Sequence, residues 1–331
     1  MRIGSENIIM AFKSYSVNLI QKVFRIREVT VLIIVIAACI IMSILSPYFL
    51  TGDNLRSLAI SLSTDAIMAV GMTMLLISGG FDLSVGSVLA FGGSIAALFM
   101  GKGVNMWIAI LIALAVGLLI GGINGFIVAK IGVNPLIVTL GMMSIVRGAT
   151  LVVAQGFPLA KIPVGFTVFG QGDFLGIPVA VIITILIALT GDIMLRRSVF
   201  LRQIYYIGGN ESAAKLAGIN ITLVKMFTFI LTSALAVVSG LISTSRLAAA
   251  FPQAGIGSEL RVISACVIGG SSLAGGKGTV FGSLLGVIIL ALVNNGLVLN
   301  NVSIYWQGIV SGLILILAVT IDILTKKGDL K

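Results

Sequence analysis

The chain has 331 residues, of which 58% are hydrophobic and 10% charged, and its formal net charge is +10. Soluble domains carry about 25% charged residues, so this composition excludes an ordinary soluble protein and indicates an integral membrane protein. The sequence has no histidine, which removes the commonest general base and metal ligand. We therefore expect no metal site. We also expect no nucleic-acid partner, because basic residues in membrane proteins gather in the loops on one side.

The first 28 residues are polar and basic and precede the first long apolar run. Apolar residues within 8–24 recur at helical spacing, which predicts an amphipathic helix on the cytoplasmic surface. A partly disordered tail is the alternative that this pattern leaves open. The apolar run that follows is long enough to span a bilayer, so we expect no cleavable signal peptide.

Apolar segments of spanning length then follow one another, since a transmembrane helix needs about 20 apolar residues. The third and eighth are short and rich in glycine, so each could be a half-helix or a re-entrant segment. The expected fold is an all-α integral membrane protein with a transmembrane domain at 29–325 and a cytoplasmic tail at 326–331. We predict ten spans, at 29–48, 55–78, 85–101, 105–129, 135–155, 174–195, 224–246, 258–270, 279–299 and 303–323.

Basic residues predict the orientation of these spans. With the N-terminus inside, the outer loops hold only four of them, Arg56, Lys102, Lys161 and Arg246, and the inner loops hold most of the rest. This asymmetry follows the positive-inside rule and requires an even number of spans. Both termini are therefore expected in the cytoplasm.

One polar, charged segment interrupts the apolar pattern within 196–223. Helix-forming residues lie there between a Gly-Gly-Asn start and a glycine end, which predicts a short helix in water tied directly to the sixth and seventh spans. Such a helix on the basic side of a membrane protein indicates a docking site for a partner. The residues proposed for this segment are Gly208, Gly209, Asn210, Glu211, Ala213, Ala214, Lys215 and Gly218.

Two glycine-rich breaks, 78–86 and 269–278, occupy similar places in the two halves of the chain. Each precedes a helix rich in small residues and then an Asn-Gly pair, which indicates a weak internal repeat. Paired interruptions of this kind indicate a transport pathway between the halves, because irregular backbone at membrane depth must face protein or a water-filled cavity. The candidate pathway residues are Asp65, Ser78, Asp82, Asn124, Asn134, Asn294 and Asn295.

Each of these polar residues has a structural alternative. Asp82 could cap the helix that follows Ser84, and the asparagines could join neighbouring helices by hydrogen bonds. Asp65 lies inside the second span, where a carboxylate must be neutral, paired or facing water. We predict an ion pair between Asp65 and Arg147, and the alternative is a proton or cation site.

Glycines at four-residue spacing would let helices approach closely in lipid. They occur at Gly117, Gly121 and Gly125, at Gly278, Gly282 and Gly286, and at Gly308 and Gly312. They predict either a subunit interface or packing within one bundle. The segment 274–279 resembles the end of a phosphate-binding loop, but Gly278 follows Lys277 where Ser or Thr is needed, so we expect no nucleotide on this chain.

Several motifs in one order resemble the ribose-type permease subunits of ABC importers. They are Ile77–Ser87, Val133–Met143 running into Arg147-Gly148, Gly208–Ile219, Gly257–Leu260 and Gly269–Gly276. The resemblance covers about residues 30–325, and the branched-chain amino-acid permeases are more distant relatives.

The resemblance implies a multi-pass subunit of the bacterial cytoplasmic (inner) membrane that is not itself an enzyme. It would import a monosaccharide such as ribose or galactose as a homodimer, with two ATPase domains of a partner subunit holding ATP and Mg²⁺ and an extracytoplasmic sugar-binding protein. The segment at 208–219 would then couple the permease to the ATPase. The alternatives are an ABC permease for a nucleoside or a branched-chain amino acid, and a proton-coupled sugar transporter.

Overall fold

The computed structural model describes residues 27–303, 306–310, 312–314, 316–317 and 319–320. The amphipathic helix predicted within 8–24 and the tail at 326–331 lie outside these residues, as does part of the tenth predicted span. Helices and strands in the described part run in this order: α1 Arg27–Leu45, α2 Gly52–Ile77, α3 Val85–Gly101, α4 Met106–Phe126 with a π-helical end Ile127–Ile131, α5 Pro135–Ala154, α6 Val164–Gln171, β1 Asp173–Phe174, β2 Ile177–Pro178, α7 Val179–Arg197, α8 Val199–Gly209, α9 Glu211–Leu216, α10 Ile221–Leu247, α11 Ser258–Ile268 and α12 Val280–Leu299.

The protein is an all-α integral membrane protein. Seven helices of the described part are long and apolar enough to cross a membrane: α1, α2, α4 with its π-helical end, α5, α7, α10 and α12. Helix α3 has 17 residues and α11 only 11. At 1.5 Å per residue α11 reaches only about 17 Å, so it is too short for a hydrocarbon core of about 30 Å.

The sixth predicted span begins later than the sequence indicated. Residues 173–178 form a small antiparallel hairpin, and α7 begins only at Val179. Leu175 and Gly176 both adopt positive φ at the turn, a conformation that ends a helix. An ion pair of 2.8 Å between Asp173 and Arg56 ties the hairpin to the start of α2.

Helix α2 lies at the centre of the bundle and α1 at its edge. In the most apolar stretch of each helix, 78% of the residues of α2 are buried, against 11% in α1. Helix α10 packs on α2, α3 and α4, whereas α11 packs between α2 and α12. The side chains of α1 are therefore left mainly to lipid.

Glycine ridges hold two of these helix pairs together within the chain. A Cβ at Gly121 of α4 would lie 2.7 Å from the Cα of Ile230, and one at Gly125 would lie 2.8 Å from the Cα of Met226. The ridge at Gly282 and Gly286 meets the backbone of α11 in the same way. Both ridges serve packing within the bundle, which is one of the two uses that the sequence left open.

Candidate functional site

A polar cavity of about 450 Å³ lies between α2, the end of α10, α11 and α12. Its lining is mixed. Leucines from α2 and α12 supply apolar surface, and the polar side chains among them are Ser57, Ser61, Thr64, Asp65, Arg246, Arg261, Asn294, Asn295 and Gln307. Such a combination of apolar surface and a few convergent polar groups is typical of a small-molecule site.

An ion pair crosses one side of this cavity and joins α2 to the half-helix α11. Arg261 donates from Nε to Asp65 Oδ2 at 2.9 Å and from Nη2 to Oδ1 at 3.4 Å, and it also donates to the hydroxyl of Ser258 at 2.7 Å. Both side chains of the pair are partly exposed, by 31% and 22%. The charge of Asp65 is thus balanced while the pair stays in contact with the cavity.

The predicted pair of Asp65 with Arg147 is therefore wrong. Arg147 donates instead to the carbonyls of Pro252 and Ala254, at 2.7 and 2.9 Å. Its helix, α5, packs mainly against α3 rather than α2. Similar depth along two spans does not say whether the two helices are neighbours.

Among the charged and amide side chains of the cavity, three have no hydrogen bond to any other residue that the structure describes. They are the amide of Asn294, the guanidinium of Arg246 and the amide of Gln307. Asn295 differs, because it exchanges two amide hydrogen bonds with Asn54, at 2.8 and 3.2 Å. Asn294 is thus available to a solute, whereas Asn295 joins α12 to α2.

The other four pathway candidates lie away from the cavity. Asp82 is buried and accepts hydrogen bonds from the backbone N–H and hydroxyl of Ser84, at 2.7 and 2.6 Å, and from Asn124 at 3.3 Å. Asp82 therefore holds the turn before α3, close to its alternative as a cap. The hydroxyl of Ser78 donates to its own helix, and Asn134 caps α5 by accepting from the N–H of Leu136.

The polar segment forms a short exposed helix, α9, as its composition predicts. The side chain of Asn210 caps it by accepting from the N–H of Ala213 at 3.0 Å. Gly218 has a φ of +81° just after the helix, and the N–H of Ile219 donates back to Ala214, which is a common helix C-terminal motif. Glu211 pairs with Lys225 of α10 at 2.6 Å.

The attachment of α9 differs from the prediction. Helix α8 stands between α7 and α9, so the polar helix joins the seventh predicted span closely but the sixth only through α8. Gly208 and Gly209 end α8 rather than beginning the polar helix. The proposed coupling segment is thus a pair of consecutive helices, and α8 buries Leu201, Ile204 and Ile207 on one of its faces.

The sequence reasoning missed four residues of these two regions. Arg246, Arg261 and Gln307 line the cavity, and Leu216 on α9 is 91% exposed. An arginine within a short, glycine-flanked span was the signal for Arg261. The signal for Leu216 was a leucine in an otherwise polar segment, since an exposed apolar side chain there has no packing role within the described chain.

Comparisons with known proteins match the chain to membrane permeases. Residues 54–319 match the family described as branched-chain amino acid transport system permease component. The chain is 44% identical over 303 residues to the ribose import permease protein RbsC of Escherichia coli (strain K12), covering 89% of this chain and 92% of that protein. It is 41% identical to RbsC of Bacillus subtilis (strain 168), over 86% and 88%, and 36% identical to the L-arabinose transport system permease protein AraH of E. coli (strain K12), over 85% of both. No solved structure matches the chain.

Proposed function

Because the chain belongs to the family of branched-chain amino acid transport system permease components, we propose that it is the membrane-spanning subunit of an ATP-driven monosaccharide importer. Ribose and L-arabinose permeases among its relatives support a sugar as the solute. We place it in a bacterial cytoplasmic membrane with about ten spans and both termini inside, in agreement with the distribution of basic residues.

The observation that carries the proposal is the mixed polar and apolar lining of the cavity. A sugar presents hydroxyl groups at its rim and C–H groups on its faces, and the cavity offers both kinds of surface. The guanidinium of Arg246 donates hydrogen bonds, and the amide of Asn294 both donates and accepts them. Leu58, Leu62 and Leu290 of the same lining suit the C–H faces.

The ATPase partner would dock on α9, which is polar, exposed and capped at both ends. Leu216 projects from it with 91% of its surface exposed, which suits a hydrophobic pocket on the partner. ATP and Mg²⁺ would be held by that partner, and an extracytoplasmic binding protein would deliver the sugar from the other side.

A second copy of the chain is expected to complete the membrane part. Four glycines support this, because a Cβ at any of them would meet no described atom within 4 Å: Gly141, Gly148, Gly308 and Gly312. The last two lie at the four-residue spacing that lets helices approach closely in lipid. The two ridges inside the bundle already contact other helices of the chain, whereas these surfaces remain free for another subunit.

One observation favours a second solute, a branched-chain amino acid. Arg246 has no ion-pair partner in the described part of the chain, and a guanidinium binds a carboxylate well. A proton-coupled mechanism is less well supported, because Asp65, its best candidate carboxylate, is paired with Arg261.

The test is uptake by cells that express this chain with its ATPase and binding protein. Labelled ribose, L-arabinose and leucine are compared, each with arsenate to deplete ATP or with a protonophore. Sugar uptake should stop with arsenate and survive the protonophore. Uptake that follows the proton gradient instead would refute the ATP-driven proposal, and uptake of leucine alone would select the second solute.

Substitutions at α9 test the docking part separately. Glu211→Arg should reduce uptake strongly while leaving membrane insertion unchanged, because it reverses a charge on the docking surface. Lys225→Gln breaks the same 2.6 Å ion pair without changing α9 and is the matched control. Equal loss in both variants would assign the effect to the ion pair rather than to docking.

A further inference from the structure

We propose that Gly208 is a positioning residue of the transport cycle, which transmits movement of α9 to two of the elements that line the cavity. This inference rests on the proposed function, since it requires a partner that moves α9. It concerns a contact that we call the glycine junction, formed by Gly79, Gly208, Gly275 and Gly276.

Three separate parts of the backbone meet at Gly208. A Cβ on this residue would overlap the carbonyl oxygen of Ile77 and would lie 2.5 Å from the backbone nitrogen of Gly276. The N–H of Gly276 in turn donates to Ile77 O at 2.9 Å. The end of α8 therefore touches the end of α2 and the loop between α11 and α12 at one point.

The neighbouring glycines make the contact closer still. A Cβ on Gly275 would lie 2.8 Å from Gly208 O and 3.1 Å from the Cα of Gly79, and one on Gly276 would lie 3.0 Å from the Cα of Gly209. Gly275 and Gly276 also have φ values of +87° and +74°, which favour glycine. Gly79 of the first glycine-rich break and Gly275 and Gly276 of the second thus meet at the same junction.

A second contact lies one turn earlier on α8. The hydroxyl of Tyr205 donates to Gly278 O at 2.9 Å. Burial raises the pKa of Tyr205 above its usual value, so the hydroxyl stays protonated and remains a donor at physiological pH. Helix α8 therefore holds the loop between α11 and α12 at two points on one face.

The elements held at the junction are the ones that carry the ion pair of the cavity. Helix α2 bears Asp65 and ends at Ile77, and α11 bears Arg261 and leads into the glycine loop. Between these levels Thr73 of α2 donates to Ser283 at 2.7 Å and contacts the sulfur of Cys266 of α11 at 3.6 Å. Contacts therefore run without a gap from the junction to the cavity.

Because the residues of the junction are glycines, its contacts are between backbones. A contact between side chains can absorb a small shift by a change of rotamer, whereas a contact between backbones displaces the helices themselves. Movement of α9 passes to Gly208 because only Asn210 separates α9 from α8. A shift of the end of α2 relative to the α11–α12 loop then changes the spacing of Asp65 and Arg261, through the kind of packed and hydrogen-bonded contacts that carry coupling between distant sites.

The test uses the complete complex of this chain, its ATPase and its binding protein in proteoliposomes, and measures sugar transported per ATP hydrolysed. Gly208→Ala places a methyl group in the junction, and Gly209→Ala places one a residue later, where nothing lies within 4 Å. We expect Gly208→Ala to lower the ratio about tenfold more than Gly209→Ala, within the 5–150-fold range of typical couplings. The KM for loaded binding protein should stay constant, because Gly208 does not line the cavity.

A gentler pair of variants covers the case in which Gly208→Ala fails to assemble. Tyr205→Phe removes only the hydrogen bond to Gly278 O, and Tyr206→Phe alters an exposed neighbour with no such bond to another described residue. Transport per ATP should fall about threefold in Tyr205→Phe, as expected for loss of roughly one hydrogen bond, and stay at the wild-type value in Tyr206→Phe.

The outcomes separate the two proposals. Equal transport per ATP in Gly208→Ala and Gly209→Ala, or in Tyr205→Phe and the wild type, overturns the role of the junction. Either result leaves the proposed importer function unaffected. A wild-type complex with no ATP-dependent uptake of sugar refutes the proposed function itself, and the inference falls with it.

Discussion

The ion pair between Asp65 and Arg261 gives the sharpest test of the structure. Its partners are partly exposed, by 22% for Asp65 and 31% for Arg261. Exposed pairs contribute about 0–1 kcal/mol, whereas loss of one partner from a buried pair costs about 3–5 kcal/mol. With one short hydrogen bond of 2.9 Å and one long bond of 3.4 Å, we expect a coupling energy between these limits, about 1.5 kcal/mol.

A double-mutant cycle measures this coupling. Asp65→Asn keeps the shape of the side chain, Arg261→Gln shortens it, and each removes the charge, as does the double variant. Their free energies of unfolding are measured in detergent micelles titrated with SDS, by far-UV circular dichroism. The double variant should be about 1.5 kcal/mol more stable than the sum of the two single losses implies, because the first substitution already removes the interaction.

The matched control is a cycle of Asp65→Asn with Arg147→Gln. Because Arg147 bonds to the carbonyls of Pro252 and Ala254, the two effects should add to within about 0.5 kcal/mol. Arg147→Gln alone should still cost about 1–3 kcal/mol, since it leaves these carbonyls without their donor. Coupling in the Arg147 cycle, with none in the Arg261 cycle, would refute the helix arrangement described here.

Three further predictions concern single positions. Asn210→Ala should destabilise the short exposed helix by about 1 kcal/mol through loss of its cap, seen as faster hydrogen exchange of its amides. Gly240→Ala should destabilise the protein by about 1–3 kcal/mol, because the new methyl group would overlap Leu89 O. Gly122→Ala has nothing within 4 Å and should instead gain up to about 1 kcal/mol of helix propensity, so equal unfolding midpoints would contradict both. Leu216→Asp should leave the midpoint unchanged and abolish co-purification of the ATPase, and full retention of that subunit would exclude a hydrophobic anchor.

Local features of this protein could be derived from its sequence, because they depend on residues close together in the chain. The exposed helix between Asn210 and Gly218 is an example. A side chain that accepts from a backbone N–H three residues later, and a glycine that adopts a positive φ, act within one turn of helix. The sequence also indicated that the third and eighth spans are short. Its composition indicated a membrane protein.

Only the tertiary structure decided which distant groups meet. The sequence led to Arg147 as the partner of Asp65, and the pairing with Arg261 instead follows from α11 packing beside α2. The same holds for two adjacent asparagines: Asn295 meets Asn54, whereas Asn294 faces the cavity. One residue of offset turns a helix position by about 100°, so hydropathy cannot separate these roles.

The glycine-rich breaks show both kinds of information. Their composition predicted irregular backbone in each half of the chain, and the helices end there as expected. That both breaks meet Gly208 could not be foreseen, because such contacts join residues about 70 and 130 positions apart and depend on how whole helices pack. Local chemistry determined where each helix begins and ends, and packing in three dimensions determined which of those ends lie together.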